Sequence, residues 1–207
     1  MARVSLVIAF LAAGSFPATA QDDTKPDPVR VDAAVKAAFP TVAADWQARL
    51  VPDETLKLCS TYRGSPPQAI FEKIEKSERA KIQYPADGKF LGDWNAGEKI
   101  AQSGYGLRFT DYPPTQPNGG NCYACHQLAA QELSYGTIGP SLYRYAAARA
   151  AMPRAELERY TYGKIYDAEA YVACTNMPRF GAKGILSEEQ IRNVAALLLD
   201  PSSPVNR

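Results

Sequence analysis

Apolar residues recur at helical spacing in several short stretches, and nowhere do they alternate with polar ones over a run long enough for a strand. The pattern predicts an all-α chain. The clearest helix comes last: Ser187 and Gln190 have the spacing of a capping box, and Leu186 and Ile191 that of a hydrophobic staple. Ile191, Val194, Ala195 and Leu198 then fall on one face before Pro201 stops the helix. Further upstream, Ser65 reads as a cap with Pro66 at the first helical position and Gln68 completing the box. That helix carries Glu72 with Lys76 and Glu75 with Arg79 at i, i+4, and its thin stripe of Ile70, Ile74 and Ile82 predicts that it lies on another surface. Asn95 and Glu98 predict the start of a helix running to Ser103, Pro153 the start of one through Leu157 to Tyr162, and Asp167 the cap of a short one to Val172. The Ala-rich residues 31–50 predict short helical pieces broken at Pro40, whereas the polar, proline-bearing "QDDTKPDPVR" before them predicts a tail with little fixed structure.

Length and composition narrow this picture. With 207 residues, 46% apolar and 22% charged, the chain can bury a real core, and its net charge of +1 provides no basic patch suited to nucleic acid. The first 20 residues, "MARVSLVIAFLAAGSFPATA", place Arg3 before an apolar run that is too short to span a bilayer, then close on small residues. This is the layout of a secretory signal peptide cleaved after Ala20. Its removal takes away Arg3 alone, so the mature charge falls from +1 to 0. The expectation is an exported protein of the periplasm, with no membrane partner.

Export sets the context for the four cysteines, because an unassigned pair in an oxidising compartment tends to bridge. Two of them stand in "GGNCYACHQ", at Cys122 and Cys125, with His126 directly after. Zinc would need four ligands in close pairs, but the chain has a single histidine and no second cysteine pair. A dithiol redox centre expects a βαβ context that the all-α pattern does not offer. Haem attachment accounts for every position: two thiols about one helical turn apart add to the porphyrin vinyl groups, and the adjacent imidazole is held under the iron.

With His126 used, bis-histidine coordination within the chain is excluded, and the partner across the iron falls to a methionine, another side chain or an open position. Met177, in a loop stiffened by Pro178 and turned by Gly181 and Gly184, is the choice; Met152, before Pro153, is the alternative. Gly139-Pro140 offers a turn whose carbonyl could take the imidazole Nδ1 proton; the alternative is an ordinary Gly-Pro turn. For Cys59 and Cys174 the favoured reading is a disulfide tying the N-terminal part to the Met177 loop. The alternatives are two separate thiols, or Cys174 as a redox thiol or iron ligand.

Over residues 90–207 the succession "NAGEKIAQSG", "CYACH", "GPSL", "MPRFG" and a closing helix resembles a class I cytochrome c. The combination of "RFTDYP", "GTIGPSLYRY" and "NMPRFG" is similar, more narrowly, to the SoxX family. Members of that family are the single-haem subunit of a SoxAX L-cysteine S-thiosulfotransferase. The resemblance implies one covalent haem c, a SoxA-type cytochrome partner carrying the active cysteine, and no catalytic residue in this chain. It further implies thiosulfate and a sulfur-carrier protein as substrates of the complex, and a soluble cytochrome c as electron acceptor. Residues 21–89 would be a tail and helical extension, which favours a permanent partner over the alternative, a freestanding periplasmic electron carrier.

Overall fold

A computed structural model describes residues 27–132 and 134–207; the predicted signal peptide at residues 1–20 lies outside them. Seven α-helices follow one another: α1 (Pro28–Ala38), α2 (Ala44–Leu50), α3 (Glu54–Thr61), α4 (Gln68–Arg79), α5 (Trp94–Gln102), α6 (Arg154–Tyr166) and α7 (Glu188–Leu199). Short 3-10 turns occur at Phe109–Asp111, Cys122–Ala124, Ala147–Arg149 and Ala168–Ala170, and no strand is present among the described residues. The all-α class holds.

The core is built where α7 crosses α5 and α6. α7 starts on the capping box of Ser187 and Gln190 and buries almost its whole C-terminal half, Val194 through Leu199. The crossing with α5 is close because Gly97 has no side chain: a Cβ there would overlap the carbonyl oxygen of Asn193 and crowd Leu197. Asn193 also fixes the start of α5, since its Oδ1 accepts from the Asp93 amide at 2.8 Å. At the other end of α7, Asn206 accepts from the Ala146 amide at 3.1 Å and donates to the carbonyls of Leu198 and Asp200, tying the C-terminus to the segment before α6.

Several helix starts differ from the expected positions, each for a local reason. α4 begins at Gln68 and not at Pro66, with no side-chain cap, because Pro67 forces the residue before it out of helical geometry. The Gln68 side chain donates to Glu72 at 2.8 Å instead of closing a box. α5 is capped by Asp93, which accepts from the Asn95 amide at 2.9 Å, so Asn95 lies inside the first turn. Helix also invades the expected tail: Asp27 accepts from the Val29 amide at 2.9 Å and Pro28 takes the first helical position. α6 runs on to Tyr166, and the piece capped by Asp167 is only the 3-10 turn Ala168–Ala170.

α4 does lie on another surface. It packs on the Ala168–Ala170 turn, where Arg79 donates from Nε and Nη2 to the Ala170 carbonyl at 3.1 and 2.6 Å, and Ile74 is buried. Behind it, Tyr84 and Phe90 close edge-on at 6.0 Å and both rings pack against buried Tyr162 of α6. The stretch joining extension to core is thereby part of the packed body.

Candidate functional site

The C-terminal end of α5 places the Cys122–His126 motif. The chain returns beside it, with Gly119, Gly120 and Asn121 donating their amides to the carbonyls of Tyr105, Ile100 and Ser103 at 2.9, 2.8 and 3.0 Å. Gly119 is required there, since a Cβ would overlap the Ser103 carbonyl. Asn121 then takes a left-handed conformation and the chain tightens into a 3-10 turn from Cys122. The amides of Cys125 and His126 both reach the Cys122 carbonyl, at 3.1 and 2.9 Å.

A second strip of backbone runs alongside. Gly136, Gly139 and Leu142 donate to the carbonyls of Tyr123, Cys125 and Gln127 at 3.0, 2.9 and 2.8 Å. These bonds bring Pro140 beneath the imidazole, and His126 Nδ1 donates to the Pro140 carbonyl at 2.6 Å. A carbonyl can only accept, so the proton is held on Nδ1 and the Nε2 lone pair is left for a ligand. Gly139 lies flat against the ring: a Cβ would overlap Cε1 and Nδ1 together. Sequence spacing suggested the Pro140 carbonyl but not the reason for the glycine before it.

Neither Cys122 nor Cys125 takes part in a disulfide. Burial pushes the Cys122 thiol up to about 12. Cys122 packs against the buried core cluster, and so do Leu142, Met152, Met177 and Ile185. Both candidate methionines therefore reach the same core. Met152 follows the Ala147–Arg149 turn, its amide donating to the Arg149 carbonyl at 3.0 Å.

The Met177 loop is fixed from several directions. Gly181 and Ala182 donate to the Tyr166 carbonyl at 2.9 and 3.1 Å, and Gly181 meets the Tyr166 ring so closely that a Cβ would overlap it. Gly184, at a φ of +61°, makes the turn, and Ile185 and Leu186 return their amides to the Phe180 carbonyl. Ahead of Met177, Cys174 is bonded to Cys59 of α3, with the Cα atoms 5.3 Å apart, and its amide donates to buried Glu169 at 2.5 Å. Cys174 is thus a disulfide partner in this structure and not a free thiol.

Sequence reasoning missed the charged cluster behind that loop. Arg179, almost fully buried, pairs with Asp53 at 2.8 Å and with Glu78 at 3.4 Å; Lys183 also pairs with Asp53, at 2.5 Å. Asp53 caps α3 through the Leu56 amide. Burial would raise the Asp53 carboxyl, but the Lys183 and Leu56 hydrogen bonds and the Arg179 charge carry it down to about 2. Glu78 accepts from Thr55 Oγ1 and from Lys81 at 2.7 Å, and despite its burial these bonds hold it ionised. Asp167, fully buried, is pushed up to about 7 by that burial and then by the neighbouring Glu78 carboxylate. Asp167 Oδ2 and Glu78 Oε2, the latter facing Arg179 Nη1 at 3.4 Å, are buried, and a proton held by Asp167 can be donated to the Glu78 carboxylate. The signals available in sequence were Pro52-Asp53-Glu54, a legible helix start, and an arginine two residues after Met177.

Comparison with known proteins agrees with the local chemistry. Residues 115–201 match the cytochrome c family. An uncharacterized lipoprotein of Aquifex aeolicus (strain VF5) is 35% identical over 156 residues, covering 75% of this chain and 73% of the relative. The donor set fits the group this family carries: two thiols on one tight turn, then an imidazole whose outer nitrogen is free and whose inner one is anchored. Residues 115–201 are a cytochrome c domain of the class I kind, which carries covalently bound haem c and supports haem-based electron transfer.

Proposed function

We propose that this chain is the electron-accepting subunit of an exported SoxAX-type L-cysteine S-thiosulfotransferase, held by a SoxA-type c-type cytochrome that carries the active cysteine. In that reaction the outer sulfur of thiosulfate bonds to the cysteine sulfur of a carrier protein, a thiol proton is released and two electrons leave. This chain's share is to take those electrons one at a time and pass them to a soluble cytochrome c. The haem would supply the one-electron couple; Cys122 and Cys125 would hold it covalently, and His126 and Met177 would bind its iron, a methionine favouring a higher potential than a second histidine. The chain's own part is to fix the imidazole through Pro140 and Gly139 and to hold the Met177 loop.

The observation that carries the reading is the outer face of the extension. Val29, Phe39 and Val51, on and beside α1 and α2, are 75%, 53% and 69% exposed, and α1 buries none of its residues. Apolar surface on added helices suits a permanent partner and is a liability for a freely diffusing carrier. Export is supported by residues 1–20 and by the lipoprotein name of the Aquifex relative. No helix among the described residues is long and apolar enough to cross a membrane.

Purification under native conditions tests the proposal. A stable complex with a second c-type cytochrome, in which thiosulfate and the carrier protein reduce this chain's haem, is the expected result. An isolated monomer whose reduction is indifferent to thiosulfate would overturn it in favour of a freestanding periplasmic carrier.

A further inference from the structure

Both flanks of Met177 are anchored to the N-terminal extension, in addition to the bonds that Gly181 and Ala182 make to Tyr166 at the end of α6. Three residues before it, Cys174 is covalently joined to Cys59 on α3. Two residues after it, Arg179 is buried and forks between Asp53, the cap of α3, and Glu78, near the end of α4. Both acceptors are themselves held: Asp53 by the Leu56 amide and Lys183, Glu78 by Thr55 and Lys81. The cysteine is further pinned through its amide to Glu169, on the turn against which α4 packs. Between Cys174 and Arg179 the Met177 amide donates to Thr175 Oγ1 at 3.3 Å. The strong bonds of the loop lie at its two margins.

We infer that Arg179 is a positioning residue for the Met177 sulfur, and that α3 and α4 act through it and through the Cys59–Cys174 bond as a clamp governing how readily Met177 gives way to another ligand. The inference rests on the reading of Met177 as the axial sulfur. Arginine suits the role because its planar fork holds two carboxylates in one orientation, which a lysine ammonium cannot do. An external ligand can bind only when the loop has opened, so its apparent affinity scales with the open fraction. A clamp on both margins keeps that fraction small. Removing Arg179 also takes one partner from Glu78, one of the most deeply buried carboxylates among the described residues, and leaves it to Thr55 and Lys81.

The test uses the full holo-protein in the ferric state and measures two quantities: the sulfur-to-iron charge-transfer absorbance, and the dissociation constant for imidazole as competitor. Arg179→Gln is expected to weaken the band and to tighten imidazole binding about tenfold or more, since a part of the effect of breaking a buried charge pair falls on loop opening. Asp53→Asn, which removes one arm of the fork and leaves Glu78 paired, is expected to tighten it several-fold and carries the test if Arg179→Gln does not fold. Arg179→Lys should recover part of the difference. Lys73→Gln, which removes the exposed pair with Glu54 between the same two helices at 3.5 Å, should behave as wild type. Thermal midpoints measured in parallel separate loop opening from global loss, because imidazole affinity is read far below them. Wild-type imidazole affinity in the folded Arg179 and Asp53 variants, with the band present in the parent, would overturn the clamp. Absence of the band in the parent itself would instead overturn the Met177 assignment on which the clamp rests.

Discussion

Replacing Cys59 and Cys174 together by serine removes a cross-link that closes 115 residues of chain. In the loop-entropy relation this length corresponds to about 16 cal/mol/K, or about 5 kcal/mol at 25 °C, by which the bond confines the unfolded chain. One term works against the full loss. Glu169 lies with both sulfurs in a group whose ligand atoms are within 4.8 Å of one another, so a serine hydroxyl can hydrogen-bond its carboxylate and return about 1 kcal/mol. The net expectation is a loss of about 4 kcal/mol, which at 2–4 °C per kcal/mol for a chain of this size lowers Tm by roughly 10–15 °C. The assay is urea unfolding of the holo-protein without reductant, followed by far-ultraviolet circular dichroism, for parent and double variant. The slope of the transition should also steepen in the variant, because an unfolded chain freed of the cross-link exposes more surface. A loss below about 2 kcal/mol with an unchanged slope would refute the reasoning: the bond would then act on the folded loop alone.

Gly139→Ala should displace the imidazole of His126, since the new Cβ overlaps the ring; the strain of overpacking is about 1–3 kcal/mol. The expected signature is a lowered Tm with a changed ligand-field spectrum, and an unaltered spectrum would count against the close packing of glycine on the ring. Asp167 gives a pH dependence of unusual sign. Its carboxyl is raised to about 7 in the folded chain, so between about pH 4 and pH 7 the folded state holds a proton that the unfolded state has released. The stability this contributes is complete below the unfolded value and is lost as pH rises through 7, at up to about 1.4 kcal/mol per pH unit. Asp167→Asn lacks that loss, so its stability relative to the parent should rise from pH 4.5 to pH 8; parallel curves for the two proteins would exclude the shared proton with Glu78.

What was legible in the sequence is what is local. The box of Ser187 and Gln190, the Cys122–His126 motif and the turn at Gly139-Pro140 each lie within a few residues of the groups they serve, or, for Pro140, one loop away. Misplaced helix starts were decided between neighbours of similar character. Asp93 and Asn95 both cap well, and the helix took the acidic one because its carboxylate can accept from the Asn95 amide and side chain together. α3 was not read at all, although Asp53 and Glu54 form a recognisable start, because the eight-residue stretch it opens shows no apolar stripe. The bonds from Asp53 to Arg179 and Lys183 were beyond reach for another reason. Lys183 and Asp53 stand 130 residues apart, and nothing in either neighbourhood marks which of many surface charges will be buried together.

That cluster is a poor way to gain stability and a good way to fix geometry. Arg179, Glu78 and Asp167 leave water almost completely, and the desolvation of charges offsets most of what their attraction returns. Apolar side chains of the same volume would hold α4 against the core at least as firmly. They would not, however, hold it in one register, since apolar surfaces slide past one another at small cost, whereas a guanidinium fork between two capped carboxylates has one good position. On the proposed reading of Met177 as an iron ligand, its loop is the one that needs a single position, because a sulfur displaced by an ångström is no longer a ligand. The long extension therefore carries two different surfaces on one scaffold: exposed apolar residues on and beside α1 and α2, and on α3 and α4 the carboxylates of Asp53 and Glu78 that pair with Arg179 in the methionine loop.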